Sequence, residues 1–289
     1  MSRRFFKEKK SILKQNYYLG IDWEDFGLTA FDYGKIKKYN KFHKNEFINE
    51  HYYLLGLLKE LRISCTFFIN GRAAYLYPNL VKDINSEGHS ISSHGYNHVP
   101  RKNLTEKEFL NDSIKSRKLI EDIIQKPVVG YRSPYLSLSR YKYLDGLKIL
   151  QKAGYKYDSS ITLHALEELS YEKKLSYDFE PPIKIFPLFS LKIYKSHFNF
   201  AGGTRWRILP SFITSKILES NKTISNSSLY LHPYEFGKFV NPYRIIPRDS
   251  NIFNSIYVFL RWNLNRNAIE KSLRELSSRA NVNILPINY

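Results

Sequence analysis

A chain of 289 residues with 43% apolar and 16% aromatic side chains can bury a sizeable core, which argues against widespread disorder and fits one compact domain. Its 45 Lys and Arg against 27 Asp and Glu leave a net charge of +18, a field that attracts phosphates, anionic lipid or acidic glycan without naming one of them. No apolar run approaches the roughly 18 residues of a membrane span, the basic N-terminus lacks the apolar stretch of a signal peptide, and the single cysteine has no disulfide partner, so the expected location is the cytoplasm.

In chain order, Tyr17 to Asp22 is a short apolar and aromatic run ending in acids, and it reads as a first strand. From Glu46 to Leu61 leucines recur at helical spacing, and Ile63 to Ile69, which contains Cys65, reads as a buried second strand. Pro78 to Ser86 has the form of a short helix closed by Gly88, followed by a strand at His89 to Ser93 and a polar loop at His94 to Pro100. Thr105 with Glu108 is a capping box for the next helix, which Pro127 stops. Val128 to Tyr131 is a further strand, Tyr143 to Ala153 a helix closed by Gly154, and Tyr155 to Tyr157 a strand ending at Asp158. Beyond Ser190 the pattern turns irregular and more β-like, with Leu229 to Leu231 as a late strand and Phe253 to Leu276 as a closing helix. Alternating strands and helices of this length predict parallel strands joined by crossover helices, with chemistry at the carboxyl ends of the strands. There is no internal repeat or linker, so residues 1–289 are expected to form a single domain, with a core over about 17–245 and a helical extension over about 251–289.

The strongest chemical signal is Ser93-His94-Gly95-Tyr96-Asn97-His98, in which His94 and His98 lie at a strand-to-loop junction. Such a pair holds a metal only with a third group. In Ile21-Asp22-Trp23-Glu24-Asp25, strand alternation sends Asp22 and Glu24 to one side, so one carboxylate can bind a metal while the other acts as a base. A turn after Trp23 would present Asp25 instead. Two histidines and one carboxylate leave open positions for water and substrate, the pattern of a catalytic site. Arg132, Asp158 and His232 each stand at a predicted strand end, where singly they read as an ion pair, a turn or cap, and a structural histidine.

Together, Cys65 to Gly71, Glu87 to His98, Gly130 to Tyr135, Gly154 to Ser160 and Leu231-His232-Pro233 with Glu235 closely resemble the motifs of the NodB-homology polysaccharide deacetylases, carbohydrate esterase family four. Asp22-Trp23-Glu24-Asp25 is similar to the Asp-x-Glu form of the first motif, and Gly202 to Pro210 resembles a segment of the subgroup found in exopolysaccharide loci. The resemblance implies an α/β fold, a distorted (β/α) barrel with about seven strands. It also implies a divalent metal, usually Zn2+ with Mn2+, Co2+ or Ni2+ as alternatives, and hydrolysis of an acetamide on an N-acetylated sugar or glycan precursor. Carried onto this chain, it implies His94 and His98 as ligands, Asp22 as general base, Arg132 holding that base, Tyr135 offering its backbone N–H to the oxyanion, and His232 as general acid oriented by Asp158. Leu231 and Pro134 would contact substrate. Many relatives have adjacent aspartates where Trp23 intervenes here, so Glu24 or Asp25 must be the third ligand.

The favoured substrate is a nucleotide- or lipid-linked precursor of surface polysaccharide, the positive charge suiting a phosphorylated carrier and peripheral contact with an anionic membrane surface. Alternatives are deformylation of an aminosugar carrier, or a basic glycan- or membrane-binding protein without catalysis. Nucleic acid is not expected as a partner. Retention of both histidines, Asp22, Arg132 and His232 argues for an enzyme.

Overall fold

The computed structural model of the chain describes residues 16–32, 38–172, 181–194, 196–220, 227–237 and 251–285. The basic leader, and the point near residue 245 where the core was expected to end, lie outside these residues. Its strands are β1 (Asn16–Trp23), β2 (Thr66–Ile69), β3 (Ser90–Ser93), β4 (Gly130–Tyr131), β5 (Tyr157–Asp158), β6 (Lys184–Ile185), β7 (Ser190–Ile193), β8 (Ser196–Asn199), β9 (Ser228–Leu231) and β10 (Asn281–Asn283). All but the β7–β8 hairpin form one parallel sheet in the order β10-β1-β2-β3-β4-β5-β6, with β9 also on β1.

Register fixes how the sheet curls. Both β2 and β9 pair with Gly20 and Ile21, so they occupy opposite edges of β1, while β10 pairs with the start of β1 at Asn16 to Tyr18. Past β6 the chain returns to β9, with Ser228 N–H donating to Pro187 O at 2.8 Å and Phe189 N–H to Ser228 O at 3.0 Å. The row β9-β1-β2-β3-β4-β5-β6 is therefore the expected distorted barrel of seven strands, and β10 is an addition.

Helices cover the outside because each presents an apolar stripe to the sheet. The helix Lys41–Glu60, capped by Asn40, buries Phe47, Leu54, Leu55, Leu57 and Leu58. Trp23 is fully buried against it, its ring 4.8 Å from that of Phe47 and its indole N–H donating to His51 Nδ1 at 3.2 Å. The capping box of Thr105 and Glu108 opens the helix Glu106–Ile124 as expected, with Gln125 as a left-handed cap before Pro127. Strand ends lie within a few residues of expectation, and β2 begins at Thr66, three residues after Ile63.

The C-terminal extension departs from the sequence reading. It consists of two helices, Ile252–Asn263 and Asn267–Arg279, followed by β10, so the last described element is a strand of the sheet and not a helix. The break falls at Arg266, whose buried guanidinium donates to the carbonyls of Tyr234, Phe236 (2.6 Å) and Gly237 (3.2 Å). Satisfying three carbonyls from one planar fork holds the turn and ties the extension to the loop after β9. Among the described residues no helix is long and apolar enough to cross a membrane.

Candidate active site

The carboxyl ends of β1, β3, β4 and β9 deliver polar side chains to one place. Strand alternation puts Trp23 outward on its helix and Asp22 and Glu24 inward, both buried. β3 ends at Ser93, and His94 is fixed beside it by its N–H to Ile69 O at 2.8 Å and by contact of its ring Nδ1 with Arg132 O at 2.9 Å. That contact assigns the proton to Nδ1 and turns Nε2 inward as a lone pair. The loop then turns so that His98, in a left-handed conformation with φ of 56°, faces the same point.

Glu24, His94 and His98 form a buried set whose ligand atoms all lie within 4.8 Å of one another. Glu24 Oε2 is against His98 Nε2 and 4.0 Å from His94 Nε2. This oxygen is sealed from solvent and finds no hydrogen-bond partner of regular geometry, which is how a metal-ligand position reads when only the protein's own groups are counted. A carboxylate and two imidazoles suit a borderline divalent ion such as Zn2+. Burial outweighs the nearby acids and holds the His94 imidazole down to about 4, so it is neutral. Burial would raise the Glu24 carboxyl, but His98, with His232 and His94, pulls it down to about 2.

Asp25, the other candidate third ligand, is outside this set. Its Oδ1 accepts Leu28 N–H at 3.1 Å at the start of the helix Phe26–Asp32, and its Oδ2 takes the hydroxyls of Tyr39 and Tyr77. The strand persists through Trp23, so alternation carries Glu24 to the site and leaves Asp25 to the turn.

Asp22 is held by Arg132, whose Nη1 donates to Asp22 Oδ1 at 2.7 Å. This guanidinium is fully buried, and it also donates to Ser159 O (2.9 Å), Ser159 Oγ (2.9 Å) and Ser228 Oγ (3.0 Å) while lying 3.9 Å above the Phe68 ring. Burial would raise the Asp22 carboxyl, but Arg132, helped by His94 and His232, keeps it below the ordinary range. Room for Arg132 comes from Gly20: a Cβ there would lie 2.6 Å from Nη1 and 2.9 Å from Phe68.

His232 follows β9 with its Nε2 4.0 Å from Asp22 Oδ2 and 3.9 Å from Glu24 Oε1. Its Nδ1 is 3.2 Å from Glu235 Oε2, and Tyr234 stacks on the ring at 4.7 Å. Burial would lower this imidazole, but Glu235, then Glu24 and Asp22, push it up to about 9. The carboxylate that meets His232 is Glu235, whereas Asp158, the residue expected to orient it, has other partners. Asp158 accepts Tyr143 OH (2.9 Å), Ser160 N–H (2.9 Å) and Ser160 Oγ–H (2.5 Å), and Ser160 Oγ in turn accepts Ser133 N–H at 2.8 Å. It braces the turn after β4. Burial raises its carboxyl to about 6 against those hydrogen bonds.

Tyr135 lies in that turn with φ of 56°, its half-exposed ring packed edge-on against His98 at 4.7 Å. Pro134 and Leu231 are buried nearby in the chain, at the ends of β4 and β9. Sequence reasoning missed the supports: Asp112, which accepts Tyr96 N–H (2.8 Å) and Asn97 N–H (3.0 Å) and holds the histidine loop; Asn70, which donates to Tyr96 O (3.0 Å); Gly20, Ser159 and Ser228; and, though Glu235 was named in the last motif, its pairing with His232. A glycine inside a strand was the one local sign available, at Gly20. The segment Gly202 to Pro210 starts beside β9, where Gly202 forms a parallel bridge with Tyr230, and continues as the helix Thr204–Ile208.

Parallel strands thus deliver a carboxylate and two imidazoles that could hold a metal ion, beside an Asp–Arg pair and a His–Glu pair, at one end of a (β/α) barrel. Residues 29–157 match the model of the polysaccharide deacetylase family. A peptidoglycan deacetylase of Helicobacter pylori is 32% identical over 108 residues, 37% of this chain and 36% of that protein. A peptidoglycan-N-acetylglucosamine deacetylase of Bacillus cereus is 34% identical over 82 residues, 28% of this chain and 30% of that protein. The matched stretch spans about a third of the length of these curated relatives. In fold, a candidate polysaccharide deacetylase from Mycobacterium smegmatis superposes with a TM-score of 0.51 at 15% identity, covering 93% of this chain and 86% of the other.

Proposed function

We propose that the protein hydrolyses the N-acetyl group of an aminosugar in a surface glycan or its precursor, releasing acetate. The observation that carries this reading is the convergence of Glu24, His94 and His98 with the Asp22–Arg132 pair and His232. The curated relatives named for N-acetylglucosamine in peptidoglycan support the substrate class. A divalent ion, most suitably Zn2+, held by Glu24, His94 and His98 would supply Lewis acidity, easing the formation of hydroxide from water and polarising the acetamide carbonyl.

Asp22, kept ionised and aimed by Arg132, takes the proton from the attacking water. His232, charged through Glu235, gives a proton to the departing amine. The Tyr135 backbone N–H offers a donor to the developing oxyanion, a contribution of about 3 to 4 kcal/mol where such donors are preorganised. Leu231 and Pro134 border the acetyl group.

Acetate release from nucleotide-linked, lipid-linked and polymeric N-acetylated sugars, with and without chelator and with Zn2+, Mn2+, Co2+ or Ni2+ restored, tests the reading. Chelator-sensitive acetate release supports it; formate without acetate would mean deformylation, and binding with no turnover on any of them would leave a glycan-binding protein. The position of Gly202 to Pro210 beside the site and its likeness to the exopolysaccharide-locus subgroup favour a polysaccharide precursor handled in the cytoplasm. The exposed apolar face of the helix Ile252–Asn263 (Phe253, Ile256, Tyr257, Leu260) and the +18 charge favour contact with an anionic membrane surface. Sedimentation with phosphatidylglycerol vesicles, lost in Phe253→Ser, checks that contact; retained binding in the variant, or none in the wild type, counts against it.

A further inference from the structure

A second group of metal-ligating side chains meets on the rim of the barrel. His164 and Glu167, on the helix Leu163–Glu172, and His197, on β8, bring ligand atoms within 4.8 Å of one another. The two imidazoles lie face to face, 3.5 Å between centroids and 14° between planes, and Glu168 Oε1 is 3.1 Å from His164 Nε2. Glu167 and Glu168 are three and four residues after His164, which places all three on one helix face.

The scaffold beneath them is tied. Leu163 N–H donates to Leu188 O at 2.9 Å and His164 N–H to Ser190 Oγ at 3.0 Å, so the start of the helix is fixed to the start of β7. Antiparallel pairing of Lys192 with His197 then sets β8 against it. Residues far apart in sequence are thus held by backbone, not by the reach of flexible side chains. The two imidazoles with carboxylates alongside form the N/O donor set that Zn2+ and its neighbours accept.

We propose that His164, His197 and Glu167 hold a second divalent transition-metal ion, with Glu168 as a further donor, clamping the β7–β8 hairpin to the helix that follows β5. Binding turns the two rings out of their stack so that both lone pairs meet one ion, a rotation open to half-exposed side chains. Being half-exposed, this ion exchanges faster than one held by Glu24, His94 and His98. Both elements leave the sheet at the carboxyl ends of β5 and β6, the end that also carries His94 and His232, so the clamp sets the shape of that rim.

The test is calorimetric titration of chelator-stripped full-length protein with Zn2+, with the Co2+ absorption spectrum as a second readout. In a His94→Ala, His98→Ala background one equivalent of Zn2+ should still bind, and adding His164→Ala and His197→Ala should abolish it. Glu167→Gln, at an exposed position that folding does not depend on, should weaken the same binding at least about tenfold, the range for a lost metal-site partner. No binding in the His94→Ala, His98→Ala background, or binding that survives loss of His164 and His197, overturns the proposal. Either result leaves the reading of the active site untouched, since that rests on Zn2+ binding lost with His94 and His98.

Discussion

At the scale of single residues, the site works by setting the charge of neighbouring groups in opposite directions. Asp22 stays ionised because Arg132 is 2.7 Å away, and His232 is charged because Glu235 meets its Nδ1. Glu235→Gln removes that charge, so the His232 imidazole should titrate well below about 9, and the basic limb of kcat/KM against pH should move to lower pH. An unchanged limb, or an unchanged His232 titration by NMR, would return the orienting role to another group. Asp158 makes a separate prediction. Its carboxyl is raised to about 6 in the fold, from 3.8, so the native state binds its proton more tightly than the unfolded chain. Stability from this group is present below about pH 4 and lost as pH rises toward 6, on the order of 3 kcal/mol in all. Asp158→Asn keeps an acceptor for Tyr143 OH and Ser160 N–H, reverses the direction of the Ser160 Oγ contact, and should flatten that slope in urea unfolding between pH 4 and 7.

Elements explain why these residues can be held so closely. Outward packing of Trp23 against Phe47 and His51 anchors the end of β1, and its neighbours Asp22 and Glu24 must then face inward. The loop from His94 to His98 has no regular structure of its own and borrows rigidity from Asp112 on the helix Glu106–Ile124. Asp112→Ala leaves two loop N–H groups without this acceptor and should weaken Zn2+ affinity about 10- to 100-fold while the far-ultraviolet dichroism is unchanged. Equal affinity in the variant would show that the loop is fixed by Asn70 alone.

For the whole molecule, the sheet curls until β9 lies beside β1, and that closure puts His232 4.0 Å from Asp22 across 210 residues of chain. The C-terminal extension reinforces it twice, through Arg266 on the carbonyls after β9 and through β10 on β1. An ion bound only by the folded state adds RT ln(1 + [L]/Kd), about 2.7 kcal/mol at a hundredfold excess over Kd. Stripping the metal should therefore lower Tm, and Zn2+ should restore it in the wild type but less in His94→Ala.

By itself the sequence determined what depends on neighbours along the chain. Period-two alternation separated Trp23 from Asp22 and Glu24, capping residues marked the helix starts, and turn residues placed His94, Arg132 and His232 at strand ends. Motif spacing supplied the family resemblance and with it the expectation of a barrel. What only the tertiary structure decided depends on register and on packing between distant elements. The choice of Glu24 over Asp25 turned on where β1 stops and which tyrosines are near. Glu235 displaced Asp158 as the partner of His232, Gly20 opened space for Arg132, β10 entered the sheet, and His164 met His197. Each of these pairings joins groups whose distance is set by how strands align, and strand alignment is a property of the assembled sheet that no local pattern encodes.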